Sequence, residues 1–321
     1  MKLHHIVEAQ QFDRATLLAI FEQSRQMEAV ARDGGIDDYH NRIMATLFYE
    51  SSTRTRFSFE AAMHRLGGRV ITTENAREFS SVSKGETLED TIRILNGYAD
   101  LIVIRHSEVG AAQRAAAVSR IPIINAGDGV GQHPTQALLD LYTIQKEIGS
   151  IDGLQVAMVG DLAQGRTVRS LSYLLGKFSG VKIYFVAPEL LKMKEDILAY
   201  LREHGVDYEE RSDLERVLPQ VSVVYQTRVQ KERFGDRIGD YEKCRGLYII
   251  DQASLDLMRR DAIVMHPLPR IDEIAMEVDQ DPRAAYFRQA QNGLYVRMAL
   301  LKMVLDSSHE SAGAAAQNQK V

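Results

Sequence analysis

The sequence predicts an α/β fold of two domains, each a parallel sheet flanked by helices, and three observations carry that prediction. Strand-like apolar runs alternate with helical patterns through most of the chain, the arrangement of parallel sheets covered by helices. The alternation pauses at Gly149 and Gly153 and then begins again. The 321 residues are also enough for two domains of roughly 150 residues, each able to bury its own core.

In the first half, RIMATLFY reads as a strand. The helix after it keeps Phe59, Ala62, Met63 and Leu66 at the i, i+3, i+4, i+7 spacing of a buried stripe, closed by Gly67 and Gly68. A strand near 69–73, the polar loop NAREFSSVSKGE, a helix from about 87, the strand ADLIVIR, a small-residue helix near 110–119 and the strand IPIINA follow. Pro134 suits the first position of the next helix, whose stripe is Ala137, Leu141, Ile144 and Ile148. The second half reads as the strand LQVAMVG, a helix over 166–177, the strand VKIYFVAP, a helix over 189–204 and the strand VSVVYQT. A helix near 254–259, the strand AIVMHPLP and a long helix over 282–305 complete it. The tail DSSHESAGAAAQNQKV is small and polar without periodicity, and is expected to be disordered.

With 45% hydrophobic and 26% charged residues, the composition is that of a soluble globular protein. A net charge of -5 and a pI near 6.0 offer no global attraction for nucleic acid or an anionic membrane, so any anion site must be a local cluster. The single cysteine, Cys244, excludes an internal disulfide and a cysteine-based zinc site. The start MKLHHIVEAQQFD has no apolar core of signal-peptide length, and no run approaches the roughly 20 apolar residues of a membrane span. A cytoplasmic location is the expectation. His4 and His5 have no metal-ligand company and read as surface residues.

Ligands of open parallel sheets bind beyond the carboxyl ends of the strands. The residues in those places are Ser52, Thr53, Arg54 and Thr55; Arg105 and His106; His133 and Gln136; Arg166; Arg228 and Gln230; and His266 to Arg270. In SSTRTR, hydroxyls and guanidinium groups at a helix start make a phosphate or carboxylate site. The alternative is N-capping by Ser52 or Thr53, which explains one hydroxyl but not two arginines. No Walker loop exists in the chain, and the G-x-G-x-G spacing of Gly127, Gly129 and Gly131 does not fit a dinucleotide fingerprint. His133 is a candidate neutral donor toward a carbonyl oxygen with Gln136 as a second partner, or a histidine capping its own helix.

Arg166 opposes the dipole of the helix it opens, so it points to an external anion unless it pairs with Asp161. Arg228 and Gln230 fall on one side of an extended segment, or else RVQKER is a solvated loop. In HPLPR the prolines hold free carbonyls at Pro267 and Leu268 toward a ligand N–H, or simply make a rigid turn. Lys84 reads as a mobile surface lysine. Four or more arginines from two domains facing one cleft make sense mainly for ligands with several negative charges, such as a phosphoryl group and a dicarboxylate.

In order and spacing, SSTRTR, SVSKGET, the RH after a strand, NAGDG…QHPTQ, GRTV, TRVQKER and HPLPRIDEI make the chain similar to the aspartate carbamoyltransferases over about residues 1 to 305. The resemblance implies transfer of the carbamoyl group of carbamoyl phosphate to L-aspartate in pyrimidine synthesis. It implies that Ser52, Thr53, Arg54 and Thr55 hold carbamoyl phosphate, and that Thr55, Arg105 and His133 polarise the carbamoyl oxygen. Arg54, Thr55, Arg105 and His133 are then the catalytic set. Gln136 and the carbonyls of Pro267 and Leu268 would take the carbamoyl NH2, while Arg166, Arg228 and Gln230, with Lys84, would bind aspartate.

In that family Ser80 and Lys84 reach in from a neighbouring subunit, which implies a homotrimer with shared active sites, open to regulatory chains or a higher assembly. The implied partition is 1–149 plus 284–321, with 306–321 a disordered tail, against 150–283, the two domains linked by two interdomain helices. No cofactor and no metal are implied, since phosphate is already a good leaving group, and neither nucleic acid nor membrane is a partner. Two stretches depart from enterobacterial-type members: Ala163, Gln164 and Arg169 in GDLAQGRTVRS, and the segment GDRIGDYEKCRG. Ornithine carbamoyltransferases, the nearest rival, typically carry Cys where this chain has Pro267, and an SMG loop that is absent here.

Overall fold

A computed structural model of the chain describes residues 3–76, 84–231, 234–236 and 238–318, with 309–318 described by backbone alone. Two compact units are formed, Met1–Gln136 with Asn292–Val321, and Ala137–Gln291.

The first unit opens with α1 (Arg14–Arg32), which sequence reasoning did not single out. Asp13 caps it by accepting the Thr16 N–H at 2.7 Å, and Leu17, Ile20, Phe21, Ser24 and Met27 form its buried stripe. There follow β1 (Ile43–Phe48), α2 (Thr53–Arg65), β2 (Arg69–Glu74), α3 (Leu88–Leu95), β3 (Leu101–His106), α4 (Ala111–Val118) and β4 (Ile123–Asp128). The strands form one parallel sheet in the order β2-β1-β3-β4. β1 and β3 are central and buried almost throughout, so they read as continuous apolar runs. β2, at the edge, keeps most of its residues exposed or half-buried. Leu47, Ile92, Ile102, Ile104, Ala112 and Ile123 belong to the core beneath them.

α5 (Pro134–Ile148) carries the chain from the first unit into the second. There, β5 (Gln155–Val159), α6 (Arg166–Leu175), β6 (Lys182–Val186), α7 (Glu195–Glu203), β7 (Asp207–Arg211), β8 (Val223–Gln226), α8 (Ile238–Cys244), α9 (Gln252–Leu257) and β9 (Ile263–Met265) build a five-stranded parallel sheet, ordered β7-β6-β5-β8-β9. Val159, Val186, Val224, Leu255, Val264 and Tyr286 are in its core. β7, with the sequence DYEER, escaped the sequence reading because an edge strand need not alternate strongly apolar residues; its burial is low.

α10 (Tyr286–Asn318) returns the chain to the first unit. It corrects the expectation of a disordered tail from 306: helix continues to Asn318. The tail has no apolar stripe to announce it. Its alanines are strong helix formers, however, and extending an existing helix avoids the cost of nucleation.

Candidate active site

Each sheet has a switch point where the chain leaves one strand in opposite directions. In the first, β1 is followed by β2 on one side and then by β3 on the other, so the segments after β1 and β3 part and leave a crevice at their carboxyl ends. In the second, β5 is followed outward by β6 and β7, and β8 then falls on its other side. The segments beyond β1, β5 and β8 carry Ser52 to Thr55, Arg166 and Arg228, and the carboxyl end of β3 itself carries Arg105.

After β1, residues 49–52 run into α2, whose first residues are Thr53, Arg54 and Thr55. Ser52 occupies the N-cap in extended conformation, yet its side chain makes no capping hydrogen bond. Capping by Ser52 is thus not the reason for this hydroxyl, and the N-terminal N–H groups remain available in the way an anion uses them. Thr55 is buried, while Arg54 is exposed and has no carboxylate partner among the described residues. Partial burial of the Arg54 guanidinium lowers its pKa, with no carboxylate among the described residues to offset it. Arg56 behaves differently: its Nη2 lies 3.0 Å from Glu74 and its Nε 4.0 Å from Glu60, which braces α2 against β2.

At the carboxyl end of β3, the buried Arg105 donates to Glu50 Oε1 at 2.7 Å and to the Ala126 carbonyl at 3.4 Å. His106 is taken up by the turn, where its Nδ1 accepts the Glu108 N–H at 3.0 Å and its ring packs on Tyr49. The glycine-rich run after β4 has a steric origin. Gly129 has φ of 50°, and a Cβ there would sit 2.4 Å from the Ser107 carbonyl oxygen. His133 is buried just ahead of α5, its Nδ1 3.5 Å from the Thr135 hydroxyl, and its carbonyl accepts the Gln136 N–H at 3.0 Å. Lys84 is exposed, and Ser80 lies outside the described residues. His5, read as a surface residue, is half-buried and accepts the Ile123 N–H at 3.0 Å.

In the second unit Arg166 opens α6 behind Gly165, which provides no side-chain cap. The strand ends beside it are stitched together. The Thr227 hydroxyl donates to the Val159 carbonyl at 2.8 Å and accepts the Asp161 N–H at 3.0 Å, and Asp161 accepts the Gln164 N–H at 2.9 Å. Gly160, with φ of 107°, permits this approach, because a Cβ would lie 2.4 Å from the Thr227 carbonyl oxygen. Arg228 and Gln230 follow β8 half-buried, and Arg228 lines a small cavity with Gly160, Gln226, Thr227, Tyr241 and Arg245.

β9 ends at Met265, so HPLPR is a loop. Leu268 has φ of 52° and is followed by a cis peptide to Pro269. His266 is buried, its Nδ1 accepting the Leu268 N–H at 2.7 Å and its Nε2 lying 2.7 Å from Glu273 Oε1. Burial works to raise the Glu273 pKa, but the hydrogen bond from His266 and the backbone donors outweigh it and leave it lowered.

The two departing stretches have structural work. Arg169 pairs with Asp196 on α7, and Arg245 at the end of the 235–246 segment pairs with Asp272 at 2.8 Å. Sequence reasoning missed Glu50 and Glu273, because a carboxylate that serves a buried arginine or histidine shows no spacing of its own. Among the described residues no group of three or more His, Cys, Asp or Glu side chains could hold a metal ion, and no helix is long and apolar enough to cross a membrane.

The carbamoyl-P binding domain of the aspartate/ornithine carbamoyltransferases matches residues 4–146, and the Asp/Orn binding domain of the same family matches residues 152–304. The chain belongs to the aspartate/ornithine carbamoyltransferase family. Among its relatives, a chloroplastic aspartate carbamoyltransferase of Oryza sativa subsp. japonica is 62% identical over 311 residues, which cover 95% of this chain and 86% of that protein. Chloroplastic aspartate carbamoyltransferase 3 of Pisum sativum is 64% identical over 305 residues, 95% of this chain and 78% of that one. Aspartate transcarbamoylase from Trypanosoma cruzi, solved with carbamoyl phosphate and aspartate, superimposes with a TM-score of 0.89 at 43% identity, covering 94% of this chain and 97% of the other. The plant relatives are chloroplastic, which overturns the cytoplasmic expectation. That expectation rested on a missing apolar leader and a missing membrane-span-length run, and neither feature tests for a plastid transit peptide, which is Arg- and Ser-rich rather than apolar.

Proposed function

We propose that the chain transfers the carbamoyl group of carbamoyl phosphate to the amino group of L-aspartate, giving N-carbamoyl-L-aspartate and phosphate, the second step of de novo pyrimidine biosynthesis. The observation that carries the reading is the start of α2, where an uncapped Ser52 and an Arg54 with no carboxylate partner among the described residues stand at a helix N-terminus. Family membership and the T. cruzi complex with the same two substrates support it.

In this reading Ser52, Thr53, Arg54 and Thr55 hold the phosphoryl group. The aspartate amine attacks the carbamoyl carbon, the bond to the phosphate oxygen breaks, and the departing phosphate takes the amine proton. Negative charge builds on the carbonyl oxygen, and Thr55, Arg105 and His133 are the donors that meet it. The Gln136 side chain and the carbonyls of Pro267 and Leu268 accept the carbamoyl NH2. Arg166, Arg228 and Gln230 bind the aspartate carboxylates, for which forked guanidinium groups suit a dicarboxylate better than the cationic side chain of ornithine.

Ser80 and Lys84 complete the site of a neighbouring chain in a homotrimer; the exposure of Lys84 fits a role outside its own chain. A carbamoyl transfer assay with aspartate or ornithine as acceptor tests the reaction: turnover with aspartate alone is expected, and turnover with ornithine alone would refute it. Mixing inactive Lys84→Ala and Arg54→Ala chains tests the shared site. Activity above that of both parents is expected, and none above them would remove the neighbour's role.

A further inference from the structure

We infer that His266 and Glu273, anchored through Gln289 and Asp140, are positioning residues that aim the carbonyls of Pro267 and Leu268 at the carbamoyl NH2. The inference rests on the proposed reaction, since those carbonyls matter only if a carbamoyl group is bound. Main-chain acceptors have no side chain to adjust, so their direction is set by the backbone that carries them. Here that backbone includes Leu268 at φ of 52°, a conformation that a branched residue holds only when its surroundings over-determine it.

The surroundings form one buried chain of hydrogen bonds within the second unit. Tyr225 on β8 donates to Asp140 Oδ2 at 2.6 Å, and Gln289 on α10 donates to Asp140 Oδ1 at 2.6 Å. Gln289 Oε1 accepts the His266 N–H at 2.9 Å. The His266 ring then accepts the Leu268 N–H on Nδ1, which leaves its proton on Nε2 to donate to Glu273 Oε1. Glu273 Oε2 accepts the N–H groups of Ile271 and Asp272 at 3.2 Å each. Asp140, Tyr225, His266, Glu273 and Gln289 are all buried. Both ends of the 266–273 loop are therefore tied to α5, β8 and α10 by polar groups that have no access to water as a substitute.

The experiment separates aiming from general support by comparing two ligands of the full-length chain. Inorganic phosphate meets only the Ser52 to Thr55 segment, whereas carbamoyl phosphate also meets the loop carbonyls. In Glu273→Ala, affinity for carbamoyl phosphate measured by titration calorimetry is expected to fall about tenfold, the scale of one lost hydrogen bond, while phosphate affinity stays native. Glu273→Gln keeps an oxygen for the His266 Nε2–H and is expected to recover most of the loss. Gln289→Met removes the acceptor of the His266 N–H at similar volume, should show the same selective loss, and carries the test if Glu273→Ala does not fold. Equal loss of both ligands, or native carbamoyl phosphate affinity in a folded variant, overturns the inference. Failure of the native chain to carbamoylate aspartate would instead refute the reaction itself, so the two failures are distinguishable.

Discussion

Arg54 and Arg56 are two residues apart on α2 and have opposite surroundings. Arg56 is held by Glu74 and Glu60, whereas Arg54 has no carboxylate among the described residues and is partly desolvated. A guanidinium kept in that state is matched by a phosphate dianion, which it can grip with two parallel bonds. Arg54→Ala is therefore expected to lower kcat by about 10² to 10³, the scale of one transition-state donor, with Arg54→Lys recovering little. Arg56→Ala should keep kcat within a few-fold and lower stability by about 1 kcal/mol, read from urea midpoints. Equal kinetic losses in both variants would sink the distinction. The sequence exposed the cluster of donors and left Arg56 with an expected structural role, which its pairing with Glu74 and Glu60 bears out, but the partners themselves were not legible, because Glu74 lies on the following strand. His266 was visible as part of HPLPR while its partner Glu273 was not, since the pairing depends on a loop that doubles back.

Among the elements, strands flanked by turn residues were legible because central parallel strands are apolar on both faces, as in IMATLF and LIVIRH. Strand order was not legible, and it is the order that makes the carboxyl ends of β1 and β5 the places where ligands fit. In the second sheet the crevice depends on a close approach between the segments after β5 and β8, with Gly160 against the Thr227 carbonyl. Gly160→Ala places a Cβ at φ of 107°, where backbone strain adds to the clash. The expected outcome is a loss of about 2 kcal/mol in stability and a rise of about tenfold in KM for aspartate, with KM for carbamoyl phosphate little changed. A variant whose two KM values rise together would show that the glycine serves the fold alone. The polar edge strand β7 and the alanine-rich end of α10 stayed hidden because neither carries an apolar stripe in its sequence that a periodic pattern can report.

For the molecule as a whole, two groups at opposite ends of the pH scale set limits on stability. Burial, and then the charge of His4, hold the His5 pKa at about 4, against 6.5 for an ordinary histidine. Between those values the unfolded chain binds a proton that the folded chain refuses, so this contribution is full above 6.5 and is lost as pH falls toward 4. At the other end, burial first and the Asp306 hydrogen bond second raise the Tyr39 pKa from 10.0 to about 12. The folded chain then keeps a proton that the unfolded chain releases, so stability is full below 10 and falls as pH rises toward 12. Urea midpoints measured across pH should form a plateau between these two limits. His5→Asn preserves an acceptor for the Ile123 N–H without a titrating ring, and should flatten the acid limb alone. Tyr39→Phe removes the hydroxyl that donates to Asp306 and should flatten the alkaline limb alone, at the cost of a lower plateau. Acid and alkaline slopes that survive both substitutions would mean that other groups dominate the linkage, with the carboxylates of Glu273, Asp279 and Asp281, all held below their ordinary pKa, the next to test on the acid side.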